Sequence, residues 1–152
     1  MIRVDIQHIS EYPEVPDDVL INNWVKQALL NYVSSGNITL RIVDVPEMQQ
    51  LNRYYRGKNK PTNVLSFPMR TEMDFLGDIV ICAPIVAEEA AQQNKDILAH
   101  WAHLVIHGCL HLLGFDHETE EQAAEMEPLE IMLLAVLGYD NPYQQHEYKI
   151  TN

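Results

Sequence analysis

The stretch His107-Gly108-Cys109-Leu110-His111-Leu112-Leu113-Gly114-Phe115-Asp116-His117 decides how this chain is read. His107 and His111 stand four positions apart, a spacing that sets both side chains on one face of a helix, about 6 Å from each other. Two imidazoles in that arrangement can converge on one ion. Gly114 accepts positive φ at little cost, so the backbone can leave the helix there and swing His117 back toward the same ion. Three neutral nitrogen ligands leave a tetrahedral metal one open position for water, which is the arrangement of catalytic rather than structural sites. A lone His-x-x-x-His pair is weak ground for such a reading. Three histidines with a glycine between the second and third are harder to dismiss.

His103 and His100 lie on the same helical stripe, one and two turns before His107. His103 could in principle replace His117 as third ligand. The turn at Gly114 has a geometric use only if the third ligand lies beyond it, so His117 is preferred and His103 is assigned a supporting role. Asp116 reads either as the acceptor that orients a ligand imidazole or as a plain turn aspartate. Cys109 lies two positions from both helical histidines and should point away from them as a small buried residue. The spacing also matches the H-E-x-x-H-x-x-G-x-x-H pattern of metzincin peptidases, except that Gly108 stands where their glutamate is the general base. A peptidase or amidase built on this triad would need a base from elsewhere.

Around that helix the periodicity places other elements. Alternation predicts strands over Arg3–Ile9 and Ile38–Val45, a short one over Asn63–Phe67 and a longer one over Leu76–Cys82. Asp17 offers an N-cap to a helix from Val19 to about Tyr32, with Leu20, Trp24, Val25, Ala28, Leu29 and Tyr32 on its apolar face. Pro46 opens a helix to about Tyr55, stopped by Gly57, and Pro84 opens one through Ala91. The metal-site helix should run from about Asp96 to Leu113. A last helical region starts near Thr119, where Thr119 and Gln122 have capping-box spacing, and ends at Gly138. Pro128 should kink or divide it. These elements predict a single α+β domain over residues 1–152. It should have a small mixed sheet of about four strands packed with helices, the metal-site helix at its centre in a zincin-like layout. The polar tail from about Asn141 is expected to be loosely held.

Composition narrows the function. No stretch reaches the roughly 20 apolar residues of a membrane span. The first nine residues alternate like a strand and lack the charged start and apolar centre of a signal peptide. With two cysteines that form no CxxC pair, this suggests a soluble, cytoplasmic protein. A formal net charge of −12 argues against sequence-independent coating of nucleic acid. The charge is uneven, however. Arg53, Arg56, Lys58, Lys60 and Arg70, five of the ten basic residues, fall within a segment free of Asp and Glu. Read alone, that segment is a solvated loop and Arg56 a surface arginine ending a helix.

Residues 107–117 resemble the signature of the YbeY family of bacterial endoribonucleases, also called rRNA maturation factors. Leu51-Asn52, Tyr55-Arg56 and Pro61-Thr-Asn-Val-Leu-Ser-Phe-Pro68 resemble that family's second block, and Leu76-Gly-Asp-Ile79 its third. Two departures are visible: Asn63 where the family commonly has aspartate, and Phe115 where it commonly has tyrosine. The resemblance implies a metal-dependent, single-strand-specific endoribonuclease in ribosomal RNA processing, at the 3′ end of 16S rRNA. Its partners would be single-stranded RNA, ribosomal RNA and the small ribosomal subunit. One zinc ion is the implied cofactor, although nickel or another divalent metal also suits imidazoles. Arg56 and His107 are the implied catalytic residues, and His107, His111 and His117 the metal ligands. A guanidinium forks onto phosphate oxygens and can stabilise the added charge of a five-coordinate phosphorus. Either water or the RNA 2′-OH fits as nucleophile. Asp78 reads either as a cleft residue or as a plain strand aspartate. Beside the nuclease stand two rivals: the metallopeptidase or amidase, and a non-catalytic metal-bearing factor that binds the ribosome.

Overall fold

Apolar residues at alternate positions dictate the sheet, and the chain reaches it in the order β1 (Ile2–His8), α1 (Asp18–Leu29), β2 (Gly36–Val43), α2 (Val45–Arg56), β3 (Val64–Pro68), β4 (Phe75–Cys82), α3 (Ala83–Gln92), α4 (Ile97–Leu112) and α5 (Glu120–Val136). These elements come from a computed structural model that describes residues 1–69 and 74–144. The four strands form one sheet in the order β1-β2-β4-β3, with β1, β2 and β4 parallel and β3 antiparallel on the edge beside β4. A mixed sheet of four strands with five helices is the expected α+β architecture.

Strand parity sorts the side chains into two cores. Ile38, Leu40 and Ile42 of β2 and Ile79 and Ile81 of β4 pack with Ile21, Trp24, Val25, Ala28 and Leu29 of α1, with the apolar side of α4, and with Met126, Leu133 and Leu134 of α5. On the other sheet face Val43, Val80, Cys82 and Leu65 pack with Met48 of α2. Each fully buried residue of this kind contributes about 1.5–3 kcal/mol, so the larger core holds α4 in place. α4 touches α1, α3, α5, β3 and β4, and is the central helix of the fold. His107 and His111 are thus mounted on a helix held from several sides, and His117 follows just beyond its end. Among the described residues, no helix is long and apolar enough to cross a membrane.

Two local expectations are corrected. α1 stops at Leu29, so Tyr32 lies beyond it, 44% exposed, with its ring edge-on to Phe115 at 5.7 Å. Trp24, Val25, Ala28 and Leu29 are buried as expected, Ile21 joins them, and the half-buried Leu20 packs against the same core. α5 runs unbroken through Pro128. Proline removes the hydrogen bond to the carbonyl of Ala124, and both residues are exposed, so water can serve that carbonyl. Where the tail begins, Lys95 Nζ donates to the Pro142 carbonyl at 3.1 Å and the Tyr143 hydroxyl donates to Glu130. Arg70 and residues 145–152 lie outside the described residues.

Helix starts follow their capping residues. Asp17 accepts from the Leu20 N–H and Asp96 from the Ala99 N–H, while Thr119 and Gln122 form the expected reciprocal capping box. Thr119→Ala should lower stability by about 1 kcal/mol, seen in thermal unfolding as a drop in Tm of roughly 2–4 °C.

Candidate metal centre

His107 and His111 project from the last two turns of α4, and the chain then turns at Gly114, whose φ is 106°. That conformation is rarely open to residues with a Cβ. The Gly114 N–H donates to the His111 carbonyl at 3.0 Å and the Phe115 N–H to the Leu110 carbonyl at 3.1 Å, closing the helix end and returning His117 toward it. His111 Nε2 stands 3.1 Å from His107 Nε2 and 3.1 Å from His117 Nδ1. The three rings are 4.6, 4.8 and 5.0 Å apart between centroids.

This geometry is poorly served by hydrogen bonds alone. His111 Nε2 carries either a proton or a lone pair, so it can satisfy at most one of the two nitrogens facing it. An ion bound by each nitrogen at about 2.0–2.1 Å in tetrahedral geometry sets neighbouring ligands about 3.3 Å apart, close to the spacing found. The donor set therefore fits a divalent metal ion. Burial, with His107 and His117 alongside, pushes the His111 pKa down to about 4. At neutral pH its lone pair is free, as a ligand requires.

Behind His107 lies a residue that sequence reasoning missed. Glu130 on α5 is fully buried, and its Oε2 stands 2.5 Å from His107 Nδ1. Its Oε1 stands 3.3 Å from His103 Nε2 and accepts from the Tyr143 hydroxyl. Burial pushes this carboxyl up, but hydrogen bonds with His103 and His107 outweigh that and bring it down to about 2. An ionised Glu130 accepts a hydrogen bond from the Nδ1–H of His107, which fixes the tautomer that leaves Nε2 unprotonated toward the other two histidines. His103, Glu130 and His107 also qualify by proximity as a metal-capable group. There, however, Glu130 already links the two rings by hydrogen bonds, while His107 Nε2 is turned to the triad. A clue was available in the sequence: Glu130 falls in the apolar stripe of Met126, Leu133 and Leu134, where a carboxylate has no reason to be unless partnered.

Asp116, by contrast, accepts the backbone N–H of His117 at 2.7 Å and stands 3.9 Å from its Nδ1, which faces His111. It holds the turn. Asp78 accepts from the Thr39 hydroxyl. It alternates with Ile79 and Ile81, which pack toward α4, so it lies on the opposite sheet face from the histidines. Cys109 is buried in the core and its thiol is pushed up by burial, as a packing residue should be. Gly108 packs against Ile79, where a Cβ would come within 3.0 Å of the Ile79 side chain. The position that bears a peptidase's glutamate therefore faces the sheet.

The triad opens into a cavity of about 410 Å³ whose other wall includes Arg56, Lys58, Ser66 and Pro68. Arg56 reaches this wall because α2 ends there, and Asn52 pins the loop that follows. Its buried side chain donates to the Lys60 carbonyl at 2.8 Å, and its own carbonyl accepts from the Lys58 N–H at 3.3 Å. Of the basic segment, Arg56 and Lys58 line the cavity and Arg53 and Lys60 do not. Asn63 donates to both oxygens of Glu89, at 3.1 and 3.3 Å, and Glu89 in turn pairs with His100 at 2.8 Å. An ionised aspartate at 63 would face Glu89 as a like charge, so the amide suits its partner.

Fold and site together define a metal-capable α+β domain with a cationic wall facing three histidines. A family model described as Endoribonuclease YbeY matches residues 6–138, and the chain belongs to that family. A solution structure titled TM1509 from Thermotoga maritima shares 25% sequence identity, with 95% of this chain and 100% of that chain covered and a TM-score of 0.60. Membership carries the family's general role, metal-dependent endoribonuclease action in rRNA processing.

Glu130→Gln keeps the shape of the side chain but removes the charge that orders the His107 tautomer. Its metal affinity should fall by about 10–100-fold, measured by competition with a chromophoric chelator, while circular dichroism stays that of the parent.

Proposed function

We propose that this protein is a single-strand-specific endoribonuclease that matures the 3′ end of 16S rRNA in the cytoplasm, working on the small ribosomal subunit. In this reading one zinc ion is held by His107, His111 and His117. The observation that carries it is the presence of Arg56 on the wall of the same cavity as the three histidines. A divalent ion in that triad supplies a Lewis acid for a phosphate and lowers the pKa of water. Arg56 forks onto the phosphate oxygens and offsets the charge that builds on phosphorus, a stabilisation that grows as the bond is broken. Lys58 adds a second cation on the same wall. It draws the RNA backbone in despite the net charge of −12. His107 is the residue on which both halves of the site meet, with Glu130 on one ring nitrogen and the triad on the other. Arg56 and His107 are accordingly the residues assigned to catalysis, with His111 and His117 completing the metal set.

A peptidase reading gains nothing here, since Gly108 is packed against Ile79 and offers no base.

Pure protein should cleave single-stranded RNA, lose that activity with chelator and regain it with zinc. Arg56→Ala should lower kcat/KM by about 100-fold, and His111→Ala should reduce cleavage to background. Equal cleavage by parent and substituted proteins would assign the activity to a contaminant and leave a non-catalytic, ribosome-binding role.

A further inference from the structure

The last turn of α2 carries two tyrosines that the core does not use. Tyr54 is 80% exposed and Tyr55 59% exposed. Their rings meet edge-on at 4.8 Å, and Tyr55 rests against Phe67 of the edge strand at 5.0 Å. An edge-on pair covers at most one face of one ring, and at this exposure both tyrosines keep ring surface in solvent. Arg56, which follows Tyr55 on the helix, lines the metal cavity with Ser66 and Pro68, whereas Phe67 alternates with those two and packs on the α2 face of the sheet, so the rings lie around the β3 edge from the cavity. Tyr54 and Tyr55 also border a shallow hollow of about 440 Å³ together with Arg53.

The charge of the surroundings identifies what these rings can meet. Among the described residues, Arg53, Arg56, Lys58 and Lys60 make no ion pair, in a chain with 22 acidic residues. Unpaired cations interleaved with exposed aromatic rings are the two components of a single-stranded nucleic-acid platform: cations follow phosphates and ring faces take bases. An acidic protein surface would use the cations but would give the ring faces no partner.

On the reading of the cavity as a ribonuclease site, we infer that Tyr54 and Tyr55 stack on unpaired bases next to the phosphate bound at Arg56. The platform selects single strands, because bases in a duplex are already stacked and paired and have no free face to offer. It also sets the direction in which RNA leaves the cavity, around the β3 edge toward the α2 side of the sheet.

The test is steady-state cleavage by the zinc-loaded protein, with thermal unfolding and metal content as controls. The substrates are a single-stranded RNA and the same RNA made abasic on either side of the cut. Tyr55→Ala should raise KM for the intact RNA by about ten-fold, with the loss falling on KM rather than kcat. Tyr54→Ala should do the same to a smaller degree, and Tyr55→Phe should restore the parent KM. The abasic RNA should cost the parent a similar factor and the alanine variants little more. A KM unchanged in both alanine variants would overturn the platform while leaving the nuclease reading intact. So would an equal loss on intact and abasic RNA. A parent protein that cleaves no single-stranded RNA would overturn both.

Discussion

His111 Nε2, pressed to 3.1 Å from a ring nitrogen of His107 and 3.1 Å from one of His117, sets the terms for everything around it. The three rings can be held so only if the shared His111 is uncharged and if something other than a hydrogen bond accounts for the surplus contact. α4 meets the first condition by half-burying His111, which keeps it unprotonated well below neutrality. A divalent ion meets the second. The rest of the molecule follows from keeping this geometry fixed: α4 is wedged among helices and sheet, Gly114 turns the chain back, and α5 brings a carboxylate to His107 from behind.

That carboxylate is the costly part of the design. Burying an unpaired charge costs several kcal/mol, more than any one core side chain returns. Glu130 is tolerated because His103, His107 and Tyr143 surround it with hydrogen-bonding partners. The start of the C-terminal tail is thereby linked to the metal centre through Tyr143, and α5 becomes part of the site instead of mere cover for the core. The opposite wall has the contrary character, with Arg56 and Lys58 presented to solvent in a protein that is otherwise strongly acidic.

The triad was legible in the sequence because its ligands repeat at the helical period and the third follows a glycine, so local geometry alone brings them together. Four strands and the helices between them were legible from alternation and capping residues. Strand order was not, since it depends on how α1 and α4 cover the sheet. Arg56 was visible only through family resemblance, because nothing local separates it from an arginine that ends a helix. Glu130 was missed for the converse reason: it lies 23 residues from His107 on another helix, and only their packing makes it a partner. Counting parity from Ile79 and Ile81 would have placed Asp78 on the far sheet face. Pro128 does not divide α5, because the carbonyl it frees, that of the exposed Ala124, is within reach of water.

Calorimetric titration of zinc into the metal-free full chain at neutral pH tests the central claim most directly. One ion should bind per chain, with protein stability rising in step, and His111→Ala should abolish the saturable phase. A parent protein that takes up no zinc, or that binds it equally well without His111, would contradict the account.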